Sequence, residues 1–205
     1  EFADSRFQVL SELTRLRQLC CDPALVYENY EGGSAKLDLC IELIQSAVES
    51  GHKILLFSQF TSMIEILTAR LQEESISYFV LQGSTKKEQR AQMVEQFNRD
   101  DTSVFCISLK AGGTGLNLTG ADIVIHYDPW WNVAVENQAT DRAHRIGQKN
   151  VVTVYKLIAK GTIEEKIIKL QQMKKELAEE ILSGDEIKTA SFQREELLEL
   201  LEERF

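Results

Sequence analysis

Apolar residues recur at helical spacing at Phe7, Val9/Leu10, Leu13, Leu16 and Leu19, which predicts a helix over residues 4–19. Cys-Cys-Asp-Pro at 20–23 ends it, because proline disfavours helix in the residue before it. Residues 28–33 (Glu-Asn-Tyr-Glu-Gly-Gly) read as a flexible joint, after which Ser34 caps a helix running to Ser50 and closing at Gly51. The period then changes. Lys53–Ser58 is a short continuous apolar run of the kind that forms a buried parallel strand. From there strands and helices alternate: helix 61–74, strand 78–81, helix 85–97, strand 104–108, a glycine-rich loop, strand 123–127, helix 133–146 and strand 152–157. Such alternation with short turns predicts an α/β fold, a parallel sheet with helices on both faces. Thr162 opens a long helix to Leu182 with Glu165 as its capping-box partner; Gly184-Asp185 breaks it, and Ser191 starts a last acidic amphipathic helix. The expected division is a helical lead-in over 1–33, the α/β body over 34–160 and flanking helices over 161–205.

Composition narrows the function classes. A chain of 205 residues, 43% hydrophobic and 27% charged, has enough apolar surface for a real core. No apolar run approaches the roughly 18 residues of a membrane span, and no signal-peptide pattern opens the chain. Its start at Glu1-Phe2 falls within a helical pattern, the expectation for a piece of something longer. Cys20, Cys21, Cys40 and Cys106 lack CxxC spacing, and His52, His126 and His144 do not group with them, so no metal site is expected and the thiols read as reduced. Cys40 and Cys106 sit among apolar residues as small core side chains. The net charge of −9 argues against binding nucleic acid by bulk attraction. Residues 162–205 carry 7 Lys/Arg against 12 Asp/Glu and the rest 16 against 20, so any phosphate-binding surface is a local patch.

In parallel α/β sheets, ligands gather in the loops where strands end. Three such loops stand out: Ser58-Gln59-Phe60-Thr61, the stretch Ser108–Leu118 with Gly112, Gly113 and Gly115, and the segment entered from Asp128-Pro129-Trp130-Trp131. Glycines let backbone N–H groups approach phosphates, but a tight turn packed on the sheet explains them equally. The loop is neither a Walker A sequence nor a dinucleotide fingerprint. Arg142 and Arg145 stand three apart on a predicted helix with Gln138 one turn earlier, so both guanidiniums would face one anion. From spacing alone, a surface helix with Glu136 and Asp141 as ion-pair partners explains the same arginines. Trp130 and Trp131 are adjacent and must diverge, one expected buried and one exposed. Lys86, Lys87 and Arg90, after Gln82-Gly83-Ser84, begin a helix whose N-terminus suits a nucleic-acid phosphate.

Together these segments resemble, in order and spacing, the second RecA-like lobe of Swi/Snf-type DNA-translocating ATPases of helicase superfamily two. Leu16-Arg17-Gln18-Leu19-Cys20 with Pro23 resembles the family's lead-in, residues 53–60 motif IV, and 81–85 with Arg90 and Phe97-Asn98 the motif after it. Ser108–Asp122 is similar to motif V, and Gln138–Gln148, ending Arg-Ala-His-Arg-Ile-Gly-Gln, to motif VI. The chain departs from the family at Val133, where proline is usual, and in its tandem tryptophans. The resemblance implies that Arg142 and Arg145 are arginine fingers reaching the γ-phosphate of ATP, exposed in part until that phosphate arrives. It implies that Gln138, Gly112, Gly115 and Asn117 line the nucleotide cleft. Ser58, Gln59, Gly83, Ser84, Thr85, Ser108, Lys110 and Thr114 would contact double-stranded DNA, largely its backbone.

No Walker A lysine and no Asp-Glu-x-His box occurs in these residues, so ATP with its Mg2+ would be held mainly by a first RecA-like lobe of the same polypeptide. This chain alone is expected not to hydrolyse ATP. A DNA-bound protein is the expected object of remodelling, in the cytoplasm on the nucleoid of a prokaryote or in a eukaryotic nucleus. A strand-separating helicase lobe shares every motif, and a non-catalytic partner-binding module is the other alternative.

Overall fold

Five short apolar segments pair side by side, all parallel, in the order β2-β3-β1-β4-β5. The strands are β1 (Ile54–Ser58), β2 (Tyr78–Leu81), β3 (Val104–Ser108), β4 (Ile123–His126) and β5 (Thr153–Lys156). The computed structural model describes residues 2–109, 116–144, 148 and 150–182, with side chains over 8–109, 116–144, 148 and 150–176. β1, β3 and β4 are buried along their whole length, as continuous apolar runs require when both sheet faces are covered. The edge strands differ: β2 is half-buried and β5 exposed throughout. Ile54 pairs with Val104 and Ile123, and Ser58 with Ser108, so the carboxyl ends of the three central strands finish level.

Period-two alternation divides the core. Leu56, Cys106 and Ile125 face helices α2 (Ala35–Glu49) and α3 (Thr61–Glu73), meeting Leu37, Ile41, Ile44, Met63 and Leu67. Leu55, Phe57, Phe105, Ile107 and Val124 face the other side, against Phe97 of α4 (Lys87–Arg99) and Ala139 of α5 (Val133–Thr140). Cys40 and Cys106 are fully buried, and burial pushes the Cys40 thiol up to about 12. A third cluster joins α1 (Phe2–Cys21) to α6 (Ile163–Leu182) through Leu13, Ile163 and Ile167. Among the described residues no helix is long and apolar enough to cross a membrane.

The caps follow the sequence closely at α2. Ser34 Oγ accepts from Leu37 N–H at 3.3 Å, and Gly51 (φ +80°) closes the helix with Gly51 N–H on Val48 O and His52 N–H on Ala47 O. Two expectations are corrected. The helix from Val133 ends at Thr140, not Ile146. Arg142 N–H and Ala143 N–H turn back to the carbonyls three residues earlier, Ala139 and Thr140, which tightens the chain into a turn. At α6 the Glu165 carboxylate reaches Gly161 N–H at 2.8 Å, beyond the capping-box target, because Thr162 Oγ1 donates to Ala159 O and accepts from Glu164 N–H. The expected last helix from Ser191 lies outside the described residues.

Candidate functional site

The loops named from sequence sit at the carboxyl end of the sheet because all five strands run the same way. Ser58 and Gln59 follow β1, Ser108 ends β3, and Asp128 lies just after β4. Ser58 is buried, and its hydroxyl donates to Asp128 Oδ1 at 2.5 Å while accepting from Phe60 N–H at 3.2 Å. Gln59 N–H points at both Asp128 oxygens at 3.4 Å. Burial pushes the Asp128 carboxyl up to about 6, against the Ser58 hydrogen bond and the Arg17 charge, which hold it down. The Gln59 amide nitrogen and the Ser108 hydroxyl are buried without a hydrogen-bond partner among the described residues. Ser58, Gln59 and Ser108 thus form a polar crest inside the lobe, with the Ser58 hydroxyl already engaged.

Gly83 and Ser84 are exposed and Thr85 is half-buried. Arg90 draws this turn together, donating to Thr85 O at 2.8 Å, Gly83 O at 3.1 Å and Gln82 O at 3.3 Å. Exposed Lys86 and Lys87 stand at the N-terminus of α4, beside its uncapped first-turn N–H groups. At the other end of α4, Asn98 donates to Asn117 O at 2.8 Å and accepts from Gly120 N–H at 2.9 Å. Asn117 is exposed; Lys110, Gly112, Gly113, Thr114 and Gly115 lie outside the described residues.

The arginine segment is built differently from the expectation. Arg142 is 3% exposed, not partly open to solvent, and it sits in the turn after α5, whereas Gln138 is exposed on the helix. The two therefore do not share one helix face. Leu118 N–H donates to Arg142 O at 3.1 Å, joining the end of the glycine-rich stretch to this turn. Gln148 fastens the far side, its amide donating to Ala121 O at 2.6 Å, Thr119 O at 3.2 Å and Ala143 O at 3.3 Å. Arg145 lies outside the described residues. His144 is exposed.

Glu136 is not a surface ion-pair partner of the arginines. It is 1% exposed on the inner side of α5, accepting from Trp130 N–H at 2.6 Å, Lys156 Nζ at 2.7 Å and Gln171 Nε2 at 3.1 Å. Beneath it, His126 stacks on Phe57 and meets Thr140 Oγ1 at 3.1 Å; burial pushes its pKa down to about 4, so it is neutral. Trp130 and Trp131 do diverge, to the sheet cluster and the α1–α6 cluster, but both are half-buried because Arg17 lies against each ring. Spacing along the chain identifies no partner for Arg17, Asp128 or Gln171, and for Glu136 only the surface ion pair that its burial rules out. The bonds from Arg17 to Pro129, from Ser58 to Asp128 and from Gln171 to Glu136 span 112, 70 and 35 residues of chain, beyond the reach of any spacing rule.

Residues 35–147 match the family described as the helicase conserved C-terminal domain. An ATP-dependent helicase of Mycoplasma pneumoniae is 45% identical over 202 residues, covering 97% of this chain and 19% of that protein. The Sulfolobus solfataricus SWI2/SNF2 ATPase C-terminal domain superposes with a TM-score of 0.72 at 33% identity, covering 95% of this chain and 81% of that one. The SWI2/SNF2 ATPase core of the same organism, solved in complex with double-stranded DNA, gives 0.70 at 38% identity over 86% of this chain and 38% of that one. The chain spans about a fifth of the length of the curated relatives it matches.

Proposed function

Because the chain belongs to the helicase C-terminal domain family, as the second RecA-like lobe of the Swi2/Snf2 type, we propose that it is half of a DNA-dependent ATPase motor that moves along duplex DNA without separating the strands. ATP binds between this lobe and a first lobe elsewhere in the polypeptide, and opening and closing of the cleft drives the motion. Arg145 supplies the finger to the γ-phosphate, and Arg142, enclosed by its own lobe, supplies the second positive charge behind it. Such fingers stabilise the charge that develops in phosphoryl transfer and are worth on the order of 10³–10⁵ in rate. Gln138, Gly112, Gly115 and Asn117 edge the nucleotide cleft. The exposed turn Gly83-Ser84-Thr85 with Lys86 and Lys87 meets backbone phosphates, as do Lys110 and Thr114, while buried Ser58, Gln59 and Ser108 shape the floor beneath.

The observation that carries this reading is the Leu118 N–H to Arg142 O hydrogen bond. It joins Leu118, after the glycine-rich stretch, to the arginine turn, which supports a common edge for the DNA-side and nucleotide-side residues of this reading. The Mg2+ that accompanies ATP would be held mainly by the first lobe.

In the complete protein, Arg145→Ala abolishes DNA-stimulated hydrolysis and leaves ATP binding largely intact; unchanged turnover refutes the finger role. Residues 1–205 alone hydrolyse no ATP, and measurable DNA-stimulated activity from them would overturn the two-lobe assignment. Displacement of a triplex strand without unwinding of the duplex separates a translocase from a strand-separating helicase.

A further inference from the structure

The connection between β4 and α5 is held by the two helices that lie outside the α/β layers. From α1, Arg17 Nη2 donates to Pro129 O at 2.8 Å. The Arg17 guanidinium lies 5.1 Å from the centre of the Trp131 ring, 5.8 Å from Phe60 and 5.9 Å from Trp130. From α6, Gln171 Nε2 donates to Trp130 O and, at 3.1 Å, to Glu136 Oε1. Arg17 is 5% exposed and Gln171 6%. One end of the gripped segment is tied back as well, since Tyr127 donates its hydroxyl to Cys21 O at 2.9 Å.

Stability alone is a weak reason for this arrangement. Arg17 forms no ion pair among the described residues, and its Nε is buried without a hydrogen-bond partner. Taking a cation out of water in that state is costly, and an apolar side chain of similar size would fill the space as well. What an apolar chain lacks is a directed donor for one loop carbonyl and a flat cationic face for three rings. Those features fix where the loop sits. Gln171 does the same from the opposite side, binding the loop and Glu136 of α5 with one amide.

We propose that Arg17 and Gln171 are positioning residues for ATP hydrolysis: they hold the β4–α5 connection, and through it the arginine-bearing turn, where the γ-phosphate is met. This rests on the function proposed above. It also makes α1 and α6, packed on each other through Leu13, Ile163 and Ile167, a mechanical input to the catalytic edge.

The test uses the complete protein with DNA. Arg17→Met and Gln171→Met each lower kcat on the order of 10²-fold, the loss that attends a catalytic group displaced by about 1 Å. KM for ATP stays within about twofold, because the nucleotide is gripped mainly by the other lobe. Arg17→Lys keeps a donor for Pro129 O and recovers part of the rate. Each variant retains the helix content of the wild type by circular dichroism, and its ATP affinity is unchanged. If Arg17→Met does not fold, Gln171→Met carries the test from the other helix. Full turnover in either folded variant, or loss of ATP affinity in proportion to loss of rate, overturns the proposal. Hydrolysis by the wild type, its loss in Arg145→Ala, and no change in Arg17→Met would remove the positioning role alone. A wild type without DNA-stimulated hydrolysis removes the function itself.

Discussion

Glu136 is the most heavily engaged carboxylate near the site, and its removal has a size that follows from its partners. Glu136→Ala leaves Trp130 N–H and the Gln171 amide facing an apolar gap where they now meet a charged acceptor at 2.6 and 3.1 Å. Hydrogen bonds to a charged group contribute about 1.5–3 kcal/mol each. The Lys156 side chain is 39% exposed and rehydrates, so its share is discounted to that of a surface pair, about 0–1 kcal/mol. Relief from burying the carboxylate offsets part of the loss, leaving a net destabilisation of about 3 kcal/mol. At this chain length that lowers Tm by about 6–12 °C. Glu136→Gln keeps an acceptor for Trp130 N–H and the Gln171 amide and costs roughly 1 kcal/mol, since it gives up the charge and the bond to Lys156, whose half-exposed ammonium rehydrates. The assay is urea denaturation of the chain followed by circular dichroism, with Lys156→Ala and the double variant completing a cycle. A loss below about 1 kcal/mol for Glu136→Ala, or equal losses for Ala and Gln, would refute the claim that the carboxylate anchors α5.

Asp128 yields a pH dependence of definite sign. Its folded pKa of about 6 lies above the usual 3.8, so its protonated form is favoured by folding. The stability this gives is complete below pH ~4 and is lost as pH rises through about 6, by about 3 kcal/mol. Asp128→Asn flattens that part of the stability profile, and two parallel profiles would contradict it. At Gly120 an added Cβ would lie 3.0 Å from Asn98 Oδ1 and 3.1 Å from Asn98 Cα, so Gly120→Ala destabilises by about 1–3 kcal/mol, read from the urea midpoint. Ser75 closes α3 at φ +57°, with Ser75 N–H on Gln72 O and Ile76 N–H on Leu71 O. Ser75→Gly relieves that conformation and raises stability by about 0.5–1 kcal/mol, seen as a small rise in Tm.

The amino-acid sequence by itself determined the elements and their order, because those depend on near neighbours. Ile54–Ser58 and Val104–Ser108 are apolar runs too short for helices, and Ser34 and Gly51 bracket α2 through bonds to residues at most five away. Motif order along the chain was equally legible, since parallel strands bring successive loops to one sheet edge. Exposure and partnership were not. Spacing placed Arg142 on an open helix face, yet α5 stops at Thr140, and the turn that follows packs its arginine inward beneath a bond from Leu118. Ser58 was expected to contact phosphate; its hydroxyl is buried against Asp128, seventy residues on. Arg17 and Gln171 reach Pro129 and Trp130 only because α1 and α6 fold back over the β4–α5 loop. Local periodicity encodes which residues become helix or strand; which buried polar group meets which is decided only when distant segments close on one another and each must find a partner out of water.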